Sequence, residues 1–331
     1  MGDQIPVEYI IPLRWSSDAG LDELTAYLRE LATWVDVTVV DGSTAPLFDA
    51  HAERWRGIVR HLAVRPPSTG NGKVVGVIAG VEAARRELVI LADDDVRYDR
   101  RGVSAVARAL RGSDLVKPQN VFAPAPWHAR WDTGRSLLNR ALGDDYPGTY
   151  GLRRSVFIEM GGYDTDVLFE NLELERTVRA AGGRVLSRPD IVVARRPPST
   201  AHFLSQRVRQ AYDSWAQPAR LLAEATILPA AIWSSAKRSR AVVLLAVILL
   251  LAELGRRRHG GAEVFPRTAA LWAPLWVLER GVAVWIAIGL RARGGVRYGG
   301  ARLSRAAHSE AHLRRATGRV ARSRSAASAR P

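Results

Sequence analysis

The chain reads as an α/β protein built on a doubly wound sheet, and three observations predict this. Apolar strand-like runs alternate with helically spaced segments through the first hundred residues. Turn clusters rich in Gly, Asp, Asn and Ser punctuate that alternation, at residues 41–44 and 70–73. The third apolar run, Leu88–Ala92, ends in Asp93, Asp94 and Asp95. The carboxyl end of a strand is where open α/β sheets bind ligands.

The elements follow in order. Residues 7–13 (Val-Glu-Tyr-Ile-Ile-Pro-Leu) read as a first strand. Residues 18–32 carry Leu21, Leu24, Leu28 and Leu31 at helical spacing, with Ser17 or Asp18 as the expected cap. Residues 35–40 are a second strand, closed by Asp41-Gly42-Ser43-Thr44. Gly70-Asn71-Gly72-Lys73 opens a helix over roughly residues 74–86, and Leu88–Ala92 is the third strand. Further on, residues 115–119 are a strand, 125–142 a helix bearing Trp127 and Trp131, and 144–151 a loop. Residues 154–160 form a short helix ended by Gly161-Gly162, and 170–181 a helix closed by Gly182-Gly183. Residues 184–187 and 191–194 are two further strand segments.

The chain has 331 residues, of which 47% are hydrophobic, enough for one large domain and an appendage. It has no cysteine, which excludes disulfides, thiolate metal sites and a cysteine nucleophile. From about Arg220 the composition shifts towards apolar stretches, at residues 221–233, 241–254 and 269–290. A spanning helix needs about 20 apolar residues. The last stretch reaches that length while carrying Glu279-Arg280, and basic residues flank the middle one on both sides. Positive charge on both flanks fits an interfacial or re-entrant helix better than a simple span. Residues 291–331 hold eleven Arg against the single acid Glu310, a formal +10 of the chain's +15. A basic tail beside apolar segments points to anionic lipid headgroups before nucleic acid. Residues 1–6 show no secretory signal.

Three adjacent carboxylates repel one another unless a cation sits among them, and a hard divalent metal takes oxygen ligands. Asp93-Asp94-Asp95 is therefore a candidate metal and phosphate site. With Asp41-Gly42-Ser43, Asn71-Gly72-Lys73, Gly161-Gly162-Tyr163-Asp164 and Phe169-Glu170-Asn171-Leu172-Glu173-Leu174 in that order, residues 5–215 resemble a family 2 glycosyltransferase of GT-A fold, a Rossmann-like mixed sheet here followed by C-terminal apolar helices.

The resemblance implies a nucleotide-diphosphate sugar donor and a divalent cofactor, Mn²⁺ or Mg²⁺. Asp93 and Asp95 become the outer acids of an Asp-x-Asp motif, Asp95 on the metal and Asp93 on the ribose or a metal-bound water, with Asp94 between them. Asp41 would accept hydrogen bonds from the base or ribose, and Gly72 and Lys73 would lie near the base and its phosphates. In the family an acidic pair supplies the general base, usually through its second member. Here the pair reads Glu170-Asn171, and Asn171 cannot take a proton, so Glu170 is the first candidate and Glu173 the second. Asp164 and Asp145 are further options. Residues 206–210 (Gln-Arg-Val-Arg-Gln) are similar to the family's Gln-x-x-Arg-Trp region, with Gln210 in place of Trp. That departure favours addition of a single sugar over polymer synthesis. His202 is a candidate third metal ligand, and Arg207 and Arg209 would meet phosphates or an acidic acceptor.

Rival readings account for less. A haloacid-dehalogenase-type phosphatase wants Thr or Val where Arg97 stands, and a nucleotidyltransferase wants a Gly-rich loop where residues 12–16 read Pro-Leu-Arg-Trp-Ser. A basic membrane-binding protein with a degenerate sugar-nucleotide domain accounts for the tail but not for the ordered acids. The expectation is a membrane-associated inverting transferase. Its catalytic domain (1–215) would face the cytoplasm, a hydrophobic helical region (216–290) would meet the bilayer, and a partly disordered Arg-rich tail (291–331) would hold anionic lipids. The acceptor would be a lipid-linked or cell-envelope glycan, with no nucleic acid partner.

Overall fold

A computed structural model describes residues 4–64, 70–143, 145–298 and 301–316. Its centre is an eight-stranded mixed sheet: β1 (Val7–Leu13), β2 (Asp36–Asp41), β3 (Arg60–Ala63), β4 (Leu88–Ala92), β5 (Val96–Arg97), β6 (Leu115–Phe122), β7 (Thr149–Arg153) and β8 (Val185–Arg195). The spatial order is β3-β2-β1-β4-β7-β6-β8-β5. The first four strands are mutually parallel, as the alternating rhythm predicts, whereas β7 runs antiparallel to both β4 and β6. β6 and β8 are parallel, and the short β5 closes the edge antiparallel to β8.

Alternation along β1 sets the layers. Val7, Tyr9, Ile11 and Leu13 pack on one face with Leu24, Leu28 and Leu31 of α1 (Leu21–Leu31), Trp55 after α2 (Ala45–Arg54), and Val103 and Val106 of α4 (Arg100–Ala109). Ile10 faces the other way. It joins Val74, Val77 and Val81 of α3 (Gly72–Ala83), Phe157 and Met160 of α6 (Arg154–Met160), and Leu174 and Val178 of α7 (Glu170–Ala180).

Several elements depart from the sequence expectation. Helix α1 starts at Leu21 with Gly20 as its cap, because the Asp18 side chain is taken by His51. The expected loop over 144–151 ends in strand β7, where Tyr150 and Leu152 are buried. A Cβ on Gly151 would lie 2.3 Å from Val106 Cγ1, so glycine lets α4 pack flat on this strand. The two segments expected around 184–194 form one strand, β8, whose register with β6 shifts between Pro118 and Gln119.

The C-terminal part packs on this core. It comprises α5 (Trp127–Leu142) from the middle of the chain, then α8 (Thr200–Tyr212), α9 (Pro218–Ser235), α10 (Arg238–Arg257) and α11 (Ala273–Ala292). Small residues bring these helices together: a Cβ on Gly255 would sit 1.8 Å from Leu137 O, and one on Gly134 would sit 2.9 Å from Ala273 Cα. Arg267–Ala292 is the one described segment long and apolar enough to cross a membrane, by length and composition.

Within the 291–331 segment, residues 303–313 are folded against the core. Leu303 and Ala306 pack with Leu168, Leu172, Tyr212 and Ala283, and the backbone N–H groups of Leu168 and Phe169 donate to Arg305 O and Ala306 O. Residues 317–331 lie outside the described part.

Candidate active site

Strand β4 delivers Asp93, Asp94 and Asp95 to the floor of a cleft of about 690 Å³ at the carboxyl end of the parallel strands. The rest of its lining comes from Trp15 and Ser17 after β1, from Phe122 and Tyr146, from Arg195 of β8, and from α5, α7, α8 and the α9–α11 side. Pairing of Val96 with Arg195 brings Arg195 beside the acids. Its Nε donates to Asp95 Oδ2 at 2.8 Å and its Nη2 to Asp93 Oδ2 at 3.3 Å. Trp15 Nε1 donates to Asp94.

The Asn71-Gly72-Lys73 motif is the start of α3. Asn71 Oδ1 caps the helix by accepting from Lys73 N at 3.1 Å, and Asn71 Nδ2 donates to Val167 O at 3.2 Å. Lys73 Nζ is thereby set 2.5 Å from Asp93 Oδ1 and 2.9 Å from Glu170 Oε1. Gly72 lies at the helix start, with only Arg14 Nη1, at 3.9 Å, near its would-be Cβ. Gly148 closes the floor: its carbonyl accepts from Asp93 N, and a Cβ there would stand 2.5 Å from Asp93 Oδ2.

The two outer acids differ. Burial works against ionised Asp93, but the charges of Lys73 and Arg195 outweigh it and hold the carboxyl below its ordinary value. For Asp95 burial wins over Arg195, aided by the charges of Asp93 and Asp94, and its pKa is pushed up to about 6. Asp95 Oδ1 is buried without a hydrogen-bond partner. An orphaned, desolvated carboxylate oxygen beside a second acid suits a hard divalent cation.

The other expected residues fall into three groups. Glu170, Arg207, Arg209 and His202 line the cleft with the acids, His202 from an exposed position on α8. Arg207 is largely buried and pairs with Asp132 at 3.0 Å.

Glu173 and Asp164 lie outside the cleft lining. Glu173 is fully buried, accepting from His308 Nδ1 at 2.8 Å and His308 N at 2.7 Å. Asp164 is an exposed turn acid that accepts from Asp166 N. Asp145 is saturated by Arg135, Gln119, Ser136, Asn139 and its neighbour's N–H.

Asp41 is the third case. Its Oδ2 faces His51 Nδ1 at 2.6 Å and His61 Nε2 at 3.1 Å, its Oδ1 accepts from Ser43 N, and His51 Nε2 meets Asp18 at 2.9 Å. Burial opposes ionisation of Asp41, yet the hydrogen bonds from His61, Ser43 and His51 hold its carboxyl well below the ordinary range. Asp41, His51 and His61 are also the one grouping among the described residues that brings three potential metal-ligand atoms within 4.8 Å of one another. The 2.6 Å contact is shorter than the roughly 3.3 Å that two ligands keep around a tetrahedral metal. It is a hydrogen bond, and the network holds Asp41 buried, outside the cleft lining.

Sequence reasoning missed Trp15, Gly148, Arg195 and Asp213. Arg195 follows an apolar strand, as the acids do, and that shared pattern is the signal that could have found it. Gly148 and Trp15 carry none. Asp213 sits on the turn after α8 with its Oδ1 buried and unpartnered.

No protein-family model matches the chain, and no curated protein matches it by sequence. Among solved structures, the mannosyltransferase PcManGT from Pyrobaculum calidifontis, solved in complex with GDP-Man and Mn²⁺, superposes with a TM-score of 0.53 at 17% identity. The match covers 86% of this chain and 88% of that one. A mycobacterial protein superposes with a TM-score of 0.42 at 16% identity, over 62% of this chain and 72% of that one. The chain thus shares its fold with PcManGT.

Proposed function

We propose that the protein is a metal-dependent glycosyltransferase that moves a sugar from a nucleotide-diphosphate donor to a hydroxyl acceptor at a membrane surface, with inversion. The observation that carries this reading is the pair Asp93 and Asp95, half sunk at the carboxyl end of β4 on the floor of the cleft, one oxygen of Asp95 lacking any partner. The fold shared with PcManGT, a protein solved with GDP-Man and Mn²⁺, supports the same reading.

Asp95, with Asp93, would hold the divalent cation. Bound there, the cation would stabilise negative charge on the departing nucleotide diphosphate. Lys73 and Arg195 keep Asp93 ionised and add positive charge at the donor end. Lys73 also ties that end to Glu170 at the start of α7, so the donor floor and the acceptor wall are held in one arrangement.

The membrane part rests on the surface of α9–α11. Leu222, Ile232, Trp233, Val242, Val243, Leu250, Leu278 and Trp285 are all largely exposed there. Exposed apolar patches on soluble monomers rarely exceed a few hundred Å². Arg238 and Arg240 precede the apolar core of α10 and the exposed Arg257 ends it, suiting anionic headgroups. A catalytic part at 1–215, a bilayer-docking part at 216–290 and a basic 291–331 segment follow from this reading. The catalytic part would face the cytoplasm, where nucleotide sugars are made, and the acceptor would be a lipid-linked or cell-envelope glycan.

Calorimetric titration of GDP-mannose and UDP-glucose, with and without Mn²⁺, tests the proposal. Binding that requires Mn²⁺ and is lost in Asp95→Ala is the expected result. If neither donor binds the wild type, the reading fails, and a membrane-binding protein with a degenerate sugar-nucleotide fold takes its place.

A further inference from the structure

We infer that Asp213, on the short helical turn Asp213–Ala216 after α8, takes the proton of the acceptor hydroxyl. The inference rests on the transferase reading above and names a residue for it. Six carboxylates line the cleft: Asp93, Asp94, Asp95, Asp132, Glu170 and Asp213. A proton acceptor needs a carboxylate oxygen within hydrogen-bond reach of the substrate, and five of the six already take a hydrogen bond or an ion pair. Asp93 is bound by Lys73 and Arg195. Asp94 accepts from Trp15. Asp132 lies between Arg135 and Arg207. Glu170, the acid nearest the family's usual position, is paired with Lys73 at 2.9 Å, and its neighbour Asn171 spends its amide on Pro147 O.

Asp95 accepts from Arg195 Nε at 2.8 Å, which leaves Asp213 as the acid of the six with no hydrogen-bond or ion-pair partner among the described residues. Asp95 stands with Asp93 and Arg195 at the donor end. Asp213 belongs to the wall made by α8 and the helices that follow it. On this assignment the hydroxyl attacks the anomeric carbon from that wall, on the face away from the leaving group. As its oxygen bonds to the anomeric carbon, the bond from that carbon to the diphosphate oxygen breaks and its electron pair leaves with the nucleotide. The hydroxyl proton passes to the Asp213 carboxylate.

The surroundings suit this task. Burial raises the Asp213 pKa to about 7, with the charge of Glu170 on α7 adding to it. Arg209 on α8, Arg280 on α11 and Arg220 on α9 pull the other way. A base works best with a pKa near the working pH. Below pH 7 the group is protonated and cannot accept, so the rate should rise with pH through about 7.

Hydrolysis of GDP-mannose and UDP-glucose, with water as the acceptor and released nucleoside diphosphate as the readout, provides the test. Asp213→Asn is expected to slow hydrolysis by at least about 100-fold and to remove the rise near pH 7. Donor affinity should stay within about twofold and the melting temperature should be unchanged. Asp213→Glu should recover part of the rate, whereas Glu170→Gln should weaken donor binding. An Asp213→Asn enzyme that hydrolyses donor within about threefold of wild type, with the pH dependence intact, overturns the assignment while leaving the transferase reading standing. A wild type that binds neither donor overturns both.

Discussion

Asp95 carries the strongest consequences among single residues. With its pKa near 6, a cation must displace a proton from it in mildly acidic solution. Metal affinity should fall as pH drops through 6, by roughly tenfold between pH 7 and pH 5 for one competing proton, and titration of Mn²⁺ at the two pH values checks this. Gly148→Ala should abolish metal-dependent nucleotide binding, because the new Cβ would press on Asp93 Oδ2, while circular dichroism still reports a folded chain. The acids were legible in the sequence because three adjacent carboxylates at the end of an apolar strand repel one another until a cation joins them. Lys73 was legible as part of a motif, but not as the bridge between Asp93 and Glu170, since nothing local records a partner 97 residues away. Asp41 stands differently: its motif suggested a nucleoside contact, and nothing local announced the two histidines, from the following helix and strand, that meet its Oδ2.

At the scale of elements, α7 shows how a helix start is held. Its first turn carries Glu170 and Glu173, both favoured there by the helix dipole. Glu170 turns to the cleft and Glu173 turns inward to His308. Removing the imidazole with His308→Ala would leave a fully buried carboxylate with only the backbone N–H of residue 308 as partner. We expect a loss of about 1–3 kcal/mol in unfolding free energy, measurable by denaturant titration. Periodicity found the helices with strong apolar stripes. It missed α2, which buries only His51, and β3, whose four residues bury nothing fully. It also read β7 as loop, because a glycine in the middle of a five-residue strand hides the alternation of Tyr150 and Leu152.

On the scale of the whole molecule, the same surface combines exposed apolar side chains with clustered arginines. The protein should co-float with vesicles containing phosphatidylglycerol and bind neutral vesicles more weakly. Trp233→Asp with Leu250→Asp should reduce the partition roughly tenfold or more, since each buried large apolar side chain contributes about 1.5–3 kcal/mol. Raising salt should weaken the anionic share alone. Composition announced this region as apolar and basic. Its packing onto the sheet domain through α5, α8 and α11 was not legible, because close approach depends on Gly134 and Gly255 meeting backbone far along the chain.

The contact between Glu173 and His308 has a consequence in time as well as in space. The segment around residue 308 supplies the hydrogen-bond partner of the buried Glu173 on α7 and accepts from the backbone of Leu168 and Phe169. During translation the cleft would therefore stay unfinished until residue 308 has left the ribosome. A chain stalled before that point would present an ordered sheet with an unanchored α7. Competence at the cleft would thus wait on a segment made 135 residues after Glu173.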